Sequence, residues 1–208
     1  MEAYPVMLNL HGKKALIVGG GKIAYRKAMG LLKAGAEITM ISPDIYSEIH
    51  ILLEKGQIRW KQKEFEESDL RDALIVIAAT NKKSINREIA KLASDHQLIN
   101  VVDDSRISNF HVPAKITRGK LTIAVGTEGA SPILAKKIRD EIAGVYDESY
   151  GDYLHFLEDA RKLVYSKEKN TLMRTQLLTE IAERDYQNAG NQRKFFERMM
   201  SDNEGKEV

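Results

Sequence analysis

Three consecutive glycines, from Gly19 to Gly21, stand between a short aliphatic run and a helical pattern. The run Ala15–Val18 has the length and composition of a buried strand. The pattern after the glycines begins with Ala24 on an apolar stripe at helical spacing. A glycine turn lets the backbone approach a phosphate closely, because no Cβ stands in the way. This segment therefore favours a sheet of the dinucleotide-binding type.

Strand and helix patterns continue to alternate as far as residue 103. Further strands are predicted at Ile38–Ile41, Ile58–Lys61, Leu74–Ala79 and Leu98–Val102. The weaker Ile58–Lys61 run is expected nearer an edge. The order β-α-β-α-β-β-α-β implies right-handed crossovers, with helices on both faces. The predicted class is α/β, with a Rossmann-like doubly wound parallel sheet.

The pattern changes after residue 104. Strands over Pro113–Thr117 and Lys120–Val125 form a predicted hairpin, and a helix is predicted from Ser131-Pro132 to about Ile142, ended by Gly144. Charged helical patterns follow. The predicted domains are 1–112 (cofactor), 113–145 (dimerisation) and 146–208 (helical). The middle region is too small to fold alone, which predicts a homodimer.

Composition narrows the class of protein. The 208 residues include 32 Lys and Arg against 30 Asp and Glu, a net charge of +2, which argues against a nucleic-acid partner. The absence of cysteine excludes disulfides, thiolate metal sites and a cysteine nucleophile. There is no signal-peptide pattern, and no apolar run reaches the roughly 18 residues of a membrane span. We expect a soluble, cytoplasmic chain with no membrane partner.

The glycines match a dinucleotide fingerprint. Gly19 makes the tight turn, Gly21 admits a pyrophosphate, and Ala24 allows close packing of helix on strand. The usual ribose-binding acid is missing, so Ser42 or the later Asp44 is expected to bond the ribose. No arginine stands there for a 2′-phosphate, which favours NAD over NADP. A glycine turn that binds nothing is the alternative.

Polar residues also follow two later strands. Thr80-Asn81 is expected to face the cofactor crevice, although such a pair also begins helices. Asp103 follows the last strand of the sheet, where a carboxylate can take a proton as a hydride leaves the substrate. A turn or helix cap is an equally good interpretation of Asp103 from spacing alone. Asp104 is expected to be its solvated neighbour.

Several motifs in sequence order resemble the precorrin-2 dehydrogenase family of siroheme synthesis. They are Val18-Gly-Gly-Gly-x-Ile-Ala-x-Arg-Lys, Leu31-Leu-x-x-Gly-Ala, Ala78-Ala-Thr, Asn100-Val-Val-Asp, Phe110-x-x-Pro-Ala, Arg118-Gly-x-Leu and Gly129-x-Ser-Pro-x-Leu-Ala. The resemblance covers residues 4 to about 140. Thr127-Glu128-Gly129 departs from the family pattern of Ser or Thr before two glycines, which puts local regulation by phosphorylation in doubt.

The resemblance implies NAD-dependent oxidation of precorrin-2 to sirohydrochlorin by a homodimer with a helical C-terminal domain. It places the key aspartate at Asp103. Nucleotide contacts are implied around Gly21, Lys22 and Ile23, at the Pro43-Asp44 turn and at Thr80. The chain is expected to lack the methyltransferase domain of fused siroheme synthases.

The substrate that the resemblance implies is a tetrapyrrole with several carboxylates, and binding it would require cations. Arg106, Arg118 and Lys120 are candidates, with Ser131 at a helix N-terminus, although each cation is individually more typical of a solvated face. No pair of histidines has metal-ligand spacing, and His111 is assigned no metal. A dehydrogenase with hand-off to a separate chelatase is therefore favoured. A bifunctional ferrochelatase, an NAD(H)-responsive regulator and a generic small-molecule dehydrogenase are the alternatives.

Overall fold

The structure is a computed structural model that describes residues 3–201. The chain forms two compact units, Met1–Val112 and Pro113–Val208. The strands of the first unit are β1 (Lys14–Val18), β2 (Glu37–Ile41), β3 (Ile58–Lys61), β4 (Ile75–Ala78) and β5 (Leu98–Val101). Its helices are α1 (Lys22–Lys33), α2 (Ser47–Glu54) and α3 (Lys83–Leu92).

All five strands are parallel, in the order β3-β2-β1-β4-β5. The chain builds outward from β1 to β3 and then crosses to β4, so the order reverses between β1 and β4. A ligand cleft is expected outside the strand ends at such a reversal. The parallel α/β class and the edge position of β3 are as predicted.

The two faces of the sheet bury separate apolar clusters. Ala24 and Ala28 of α1 and Ile49 of α2 pack on one face, with Ile17 of β1. Ile89 of α3 packs on the other face. Helices on both faces explain why β1 and β4 are apolar at successive positions rather than alternate ones.

The second unit begins with an antiparallel hairpin, β6 (Ala114–Arg118) and β7 (Leu121–Val125). Its turn is Gly119-Lys120, one residue later than predicted, with Gly119 at a positive φ of 54°. Helix α4 (Pro132–Val145) continues through Gly144, so the predicted end near Ile142 was wrong. The end of a helix depends on what its last turn contacts, and one glycine there costs only about 1 kcal/mol.

Three further helices complete the second unit: α5 (Ser149–Lys167), α6 (Thr171–Ile181) and α7 (Ala189–Ser201). They enclose an aromatic core around Phe156 and Phe195, whose rings meet edge to face at 6.1 Å. The Tyr153 hydroxyl donates to the Ile181 carbonyl at 2.8 Å, so its polar end is satisfied. Among residues 3–201, none of the helices combines the length and the apolar composition that a membrane span requires.

Candidate active site

The turn between β1 and α1 consists of the three glycines, and two of them touch neighbouring backbone. A Cβ on Gly19, whose φ is 120°, would lie 2.3 Å from the Ala79 carbonyl oxygen. A Cβ on Gly20 would lie 2.1 Å from the Asp44 carbonyl oxygen. The Gly20 carbonyl also accepts a hydrogen bond from the Tyr46 N–H at 2.7 Å. These glycines bring the turn after β1 against the turns after β4 and β2. No role for Gly20 was predicted from the sequence.

Gly21, in contrast, faces open space. A Cβ there would meet nothing within 4 Å. Helix α1 starts immediately after it with no capping side chain and no acid in its first turn. The positive end of the helix dipole and the N–H groups of its first turn are thus left to an anion. This turn fits the pyrophosphate of a dinucleotide.

An open cleft of about 700 Å³ lies over this turn, within the first unit. All eight predicted cofactor residues line it: Gly19, Gly21, Lys22, Ile23, Ser42, Pro43, Asp44 and Thr80. Its volume is within the range of cofactor sites. The turns after β1, β2 and β4 therefore meet where the reversal of strand order places a ligand.

The turn after β2 leaves one acid available. The buried Ser42 donates its hydroxyl proton to the Asp44 carbonyl, and Trp60 Nε1 donates to the Ser42 carbonyl at 3.0 Å. Gln62 Nε2 donates to the Pro43 carbonyl at 3.1 Å. The exposed Asp44 carboxylate has no side-chain partner within residues 3–201. Asp44 is thus better placed than Ser42 to accept hydrogen bonds from a ribose.

Four residues of the cleft wall with polar side chains were not predicted from the sequence: Tyr46, Lys63, Glu64 and Lys82. Lys63 Nζ bonds Asp69 at 2.9 Å and Glu66 at 3.1 Å, while Lys82 Nζ bonds Glu64 at 3.1 Å. Lys63 and Glu64 closely follow β3, and position after a strand end is the signal that could have found them.

Lys63 forms a cluster with Glu66 and Asp69, called here the Lys63 cluster, in which two pKa values are shifted. Burial of Asp69 opposes its charge, but hydrogen bonds from Lys63 and the Glu66 backbone outweigh burial and lower the pKa of Asp69. The hydrogen bond to Asp69 raises the pKa of Lys63. The cation at the cleft wall is therefore already paired with acids.

The two aspartates after β5 have different surroundings. Asp103 is exposed, and its Oδ1 accepts one hydrogen bond, from Asn86 Nδ2 at 2.8 Å. The Asp104 side chain is only 14% exposed and accepts from the Arg106 backbone and guanidinium. The hydrogen bond from the Arg106 guanidinium lowers the pKa of Asp104. Asp104 is the cap of the short 3₁₀ helix Ser105–Ile107, so the prediction that it is solvated was wrong.

The outer edge of β5 is covered by the residues that follow it. The Asn109 side chain accepts from the Ile99 N–H at 2.7 Å, and the Ser108 hydroxyl accepts from the Val101 N–H at 2.9 Å. These bonds satisfy N–H groups that an edge strand would expose. They also hold in place the strand that precedes Asp103.

A half-buried lysine reaches the same strand from α1. Lys27 Nζ donates to Asn100 Oδ1 at 3.0 Å. Burial lowers the pKa of Lys27, and repulsion from Arg26 adds to the shift. This contact connects the helix that follows the glycine turn to the strand that precedes Asp103.

The four substrate candidates already have partners. Arg106 pairs with Asp104, and Lys120 pairs with Glu158 at 2.5 Å. Arg118 Nε donates to the Tyr146 carbonyl at 3.0 Å and Nη1 pairs with Glu148. The Ser131 hydroxyl accepts from the Leu134 N–H as the predicted N-cap of α4. Within residues 3–201 no group of three or more acids or histidines could hold a metal ion.

A parallel sheet with a glycine turn at its strand-order reversal, under a cleft of this size, is the architecture of the Rossmann dinucleotide-binding class. Comparison with known proteins gives the family. Residues 6–114 match the NAD(P)-binding family model, 118–144 the sirohaem biosynthesis protein central model, and 150–195 the SirC C-terminal domain model.

Relatives agree across both units. The chain is 38% identical to the precorrin-2 dehydrogenase of Priestia megaterium, over 88% of this chain and 91% of that one. It is 37% identical to the Bacillus subtilis enzyme of the same name, over 72% and 91%. A solved structure titled SirC, precorrin-2 dehydrogenase superposes with a TM-score of 0.86 at 36% identity, covering 96% of this chain and all of that one.

Siroheme synthases also match, although only over part of their length: that of Xylella fastidiosa is 37% identical over 80% of this chain and 36% of its own. The chain belongs to the precorrin-2 dehydrogenase family. It is an NAD-dependent oxidoreductase of siroheme biosynthesis.

Proposed function

We propose that the chain oxidises precorrin-2 to sirohydrochlorin, with NAD⁺ held in the glycine-turn cleft and Asp103 as the proton acceptor. The observation that carries the proposal is the contrast at the end of β5. Asp104 is engaged as a cap and by Arg106, whereas Asp103 is exposed and accepts a single side-chain hydrogen bond. A carboxylate that acts as a general base must be able to reach the substrate.

The cleft residues divide the work of binding the cofactor. The first turn of α1, with Gly21, Lys22 and Ile23, takes the pyrophosphate, and Asp44 takes the ribose. Thr80 and the backbone around it form the wall that follows β4. When bound there, NAD⁺ supplies the acceptor for a hydride.

The chemistry removes one hydride and one proton from precorrin-2. A C–H bond of precorrin-2 would break and its electron pair would leave as a hydride, for which NAD⁺ held by the first turn of α1 and by Asp44 would be the acceptor. A second bond to hydrogen breaks, the Asp103 carboxylate takes the proton, and the electron pair left behind forms the new double bond of sirohydrochlorin. Proton transfer to a positioned base contributes typically about 10²–10⁴-fold to such a rate.

The test is an anaerobic spectral assay of precorrin-2 with NAD⁺ using Asp103→Asn and, as a matched control, Asp104→Asn. We expect Asp103→Asn to lose about 10²-fold or more in kcat while it keeps its Tm and its Kd for NAD⁺. Asp104→Asn should lower the Tm because it weakens a cap and an ion pair, and it should retain most of its kcat.

Two results would contradict the proposal. If the wild-type protein binds NAD⁺ but converts no precorrin-2, the proposed reaction is wrong. If Asp103→Asn keeps full turnover, the proposed reaction is still supported, but Asp103 is not the base.

We also propose that the chain is a homodimer through the hairpin and α4. Ile133 of α4 is 82% exposed, and Leu134 and Val145 of the same helix are also exposed. Ile133→Asp should yield monomers in light scattering at micromolar concentration, because it places a charge in an apolar interface. Leu172→Asp, at a similarly exposed position of α6, should leave the assembly unchanged. Monomeric wild-type protein would contradict the proposal.

The remaining assignments are proposals of the same kind. Arg106, Arg118, Lys120 and Ser131 contact substrate carboxylates after exchanging their present partners. Sirohydrochlorin passes to a separate chelatase, since the sequence has no histidine pair at metal-ligand spacing. The chain acts in the cytoplasm. Incubation of the product with Fe²⁺ and this protein alone tests the second statement: siroheme formation would contradict it.

A further inference from the structure

Asn86, on α3, is a fully buried polar residue with an exposed fraction of 0%. Its Oδ1 accepts from the Thr80 N–H at 3.1 Å and from the Thr80 hydroxyl at 2.7 Å. Its Nδ2 donates to the Thr80 carbonyl at 3.1 Å and to Asp103 Oδ1 at 2.8 Å. These four bonds use both donors and both acceptor positions of the amide.

The orientation of this amide is fixed by the chemistry of its neighbours. The Thr80 N–H can only donate, so the amide oxygen must face it. The amide nitrogen then faces the Asp103 carboxylate, which accepts. Asn86 therefore connects the wall of the nucleotide cleft to Asp103 through one rigid side chain that cannot flip without losing several bonds.

We propose that Asn86 is a positioning residue, which fixes the Asp103 carboxylate relative to the Thr80 wall of the cleft. This inference rests on the proposed role of Asp103 as proton acceptor. The hydride and the proton leave one substrate molecule, so the base must be in register with the cofactor bound beside Thr80. A misplacement of about 1 Å in such a site can cost about 10²-fold in rate.

The sharpest variant is Asn86→Asp, which has nearly the same shape. It keeps an acceptor for the Thr80 N–H, but it replaces the amide donor with a second carboxyl group beside Asp103. Two carboxyl groups this close share a proton, which blocks Asp103 from accepting one from the substrate. We expect kcat to fall at least about 30-fold. The Kd for NAD⁺ should stay within about threefold, since the glycine turn is untouched.

A buried amide elsewhere provides the structural control. Gln97 is also buried, and its side chain bonds the Leu70 and Ala73 carbonyls without touching Thr80 or Asp103. Gln97→Ala should lower the Tm and leave kcat unchanged. If Asn86→Asp does not fold, Thr80→Val at saturating NAD⁺ replaces it, because it removes the 2.7 Å bond; its kcat should fall about threefold or more.

The outcomes separate the two proposals. Inactive wild-type protein overturns the proposed reaction, and full turnover by Asp103→Asn overturns the proposed role of Asp103, on which the positioning role rests. Inactive Asp103→Asn together with normal kcat in folded Asn86→Asp, or in Thr80→Val where that variant replaces it, overturns only the positioning role. In the Asp103→Asn background, Asn86→Asp should cause no further loss, because the base it positions is gone.

Discussion

The glycine-turn cleft of the first unit and the hairpin region of the second were predicted with equal detail, yet the structure treats their residues differently. In the cleft, Gly21 and Asp44 are left open to a ligand. In the hairpin region, Arg118 and Lys120 are already bonded to protein groups. A cofactor site formed by backbone groups can be predicted from local sequence. Whether long side chains are available to a substrate depends on partners that lie far away in the sequence.

The strongest test of this contrast is inside the cleft itself. Gly20→Ala forces a Cβ against the Asp44 carbonyl at 2.1 Å, so it should destabilise the protein by about 3 kcal/mol and abolish NAD⁺ binding. Gly21→Ala meets no protein atom, so it should fold normally and raise the Kd for NAD⁺ at least about tenfold. Thermal unfolding and NAD⁺ titration measure both. Equal stabilities for the two variants would show that the close contact between Gly20 and the Asp44 carbonyl is not needed for folding of the cleft.

The hairpin side of the comparison is tested at Arg118, which is only 17% exposed. Arg118→Gln should cost about 1–3 kcal/mol, because it leaves the Tyr146 carbonyl without its donor. Lys120→Gln, which removes an exposed ion pair, should change the Tm little. The proposed substrate contact of Arg118 also predicts a higher KM for precorrin-2 in Arg118→Gln. An unchanged Tm would contradict its structural role, and an unchanged KM would contradict its contact with the substrate.

A smaller effect is expected from the Lys63 cluster. Lys63 lines the cleft but, like Arg118 and Lys120 of the hairpin region, it is already bonded to other protein groups. The Asp69 side chain is 3% exposed, and its pKa is lower when folded than the unfolded value of 3.8. The unfolded chain therefore binds more protons between the two values. The stability this acid contributes is complete above the unfolded pKa and is lost as pH falls through the folded pKa.

Asp69→Asn should remove that part of the acid dependence, measured as Tm against pH from neutrality to below 3.8. Asp72→Asn is the control, since Asp72 forms an exposed pair with Lys14. A wild-type curve with the same slope as that of Asp69→Asn would contradict the assignment.

Much of the candidate site was predictable because it depends on local rules. A strand, a glycine turn and a helix follow from spacing within about ten residues, and residues after strand ends gather at one edge of a parallel sheet. These rules brought Ser42, Thr80 and Asp103 into the prediction. Asn86 was missed, although a polar residue three positions before Ile89 on the buried stripe of α3 was a signal for it.

The sequence by itself determined the parallel sheet, its glycine turn and the polar residues at its strand ends, because these follow from periodicity and the absence of a Cβ. Only the tertiary structure decided that Asp104 is held as a cap by Arg106, whereas Asp103 stays exposed with one hydrogen bond from Asn86. It also decided that Lys63 lines the cleft and that Asn86 bonds both Thr80 and Asp103. A local pattern can point to such a residue, but its partner depends on contacts between elements that are distant in sequence.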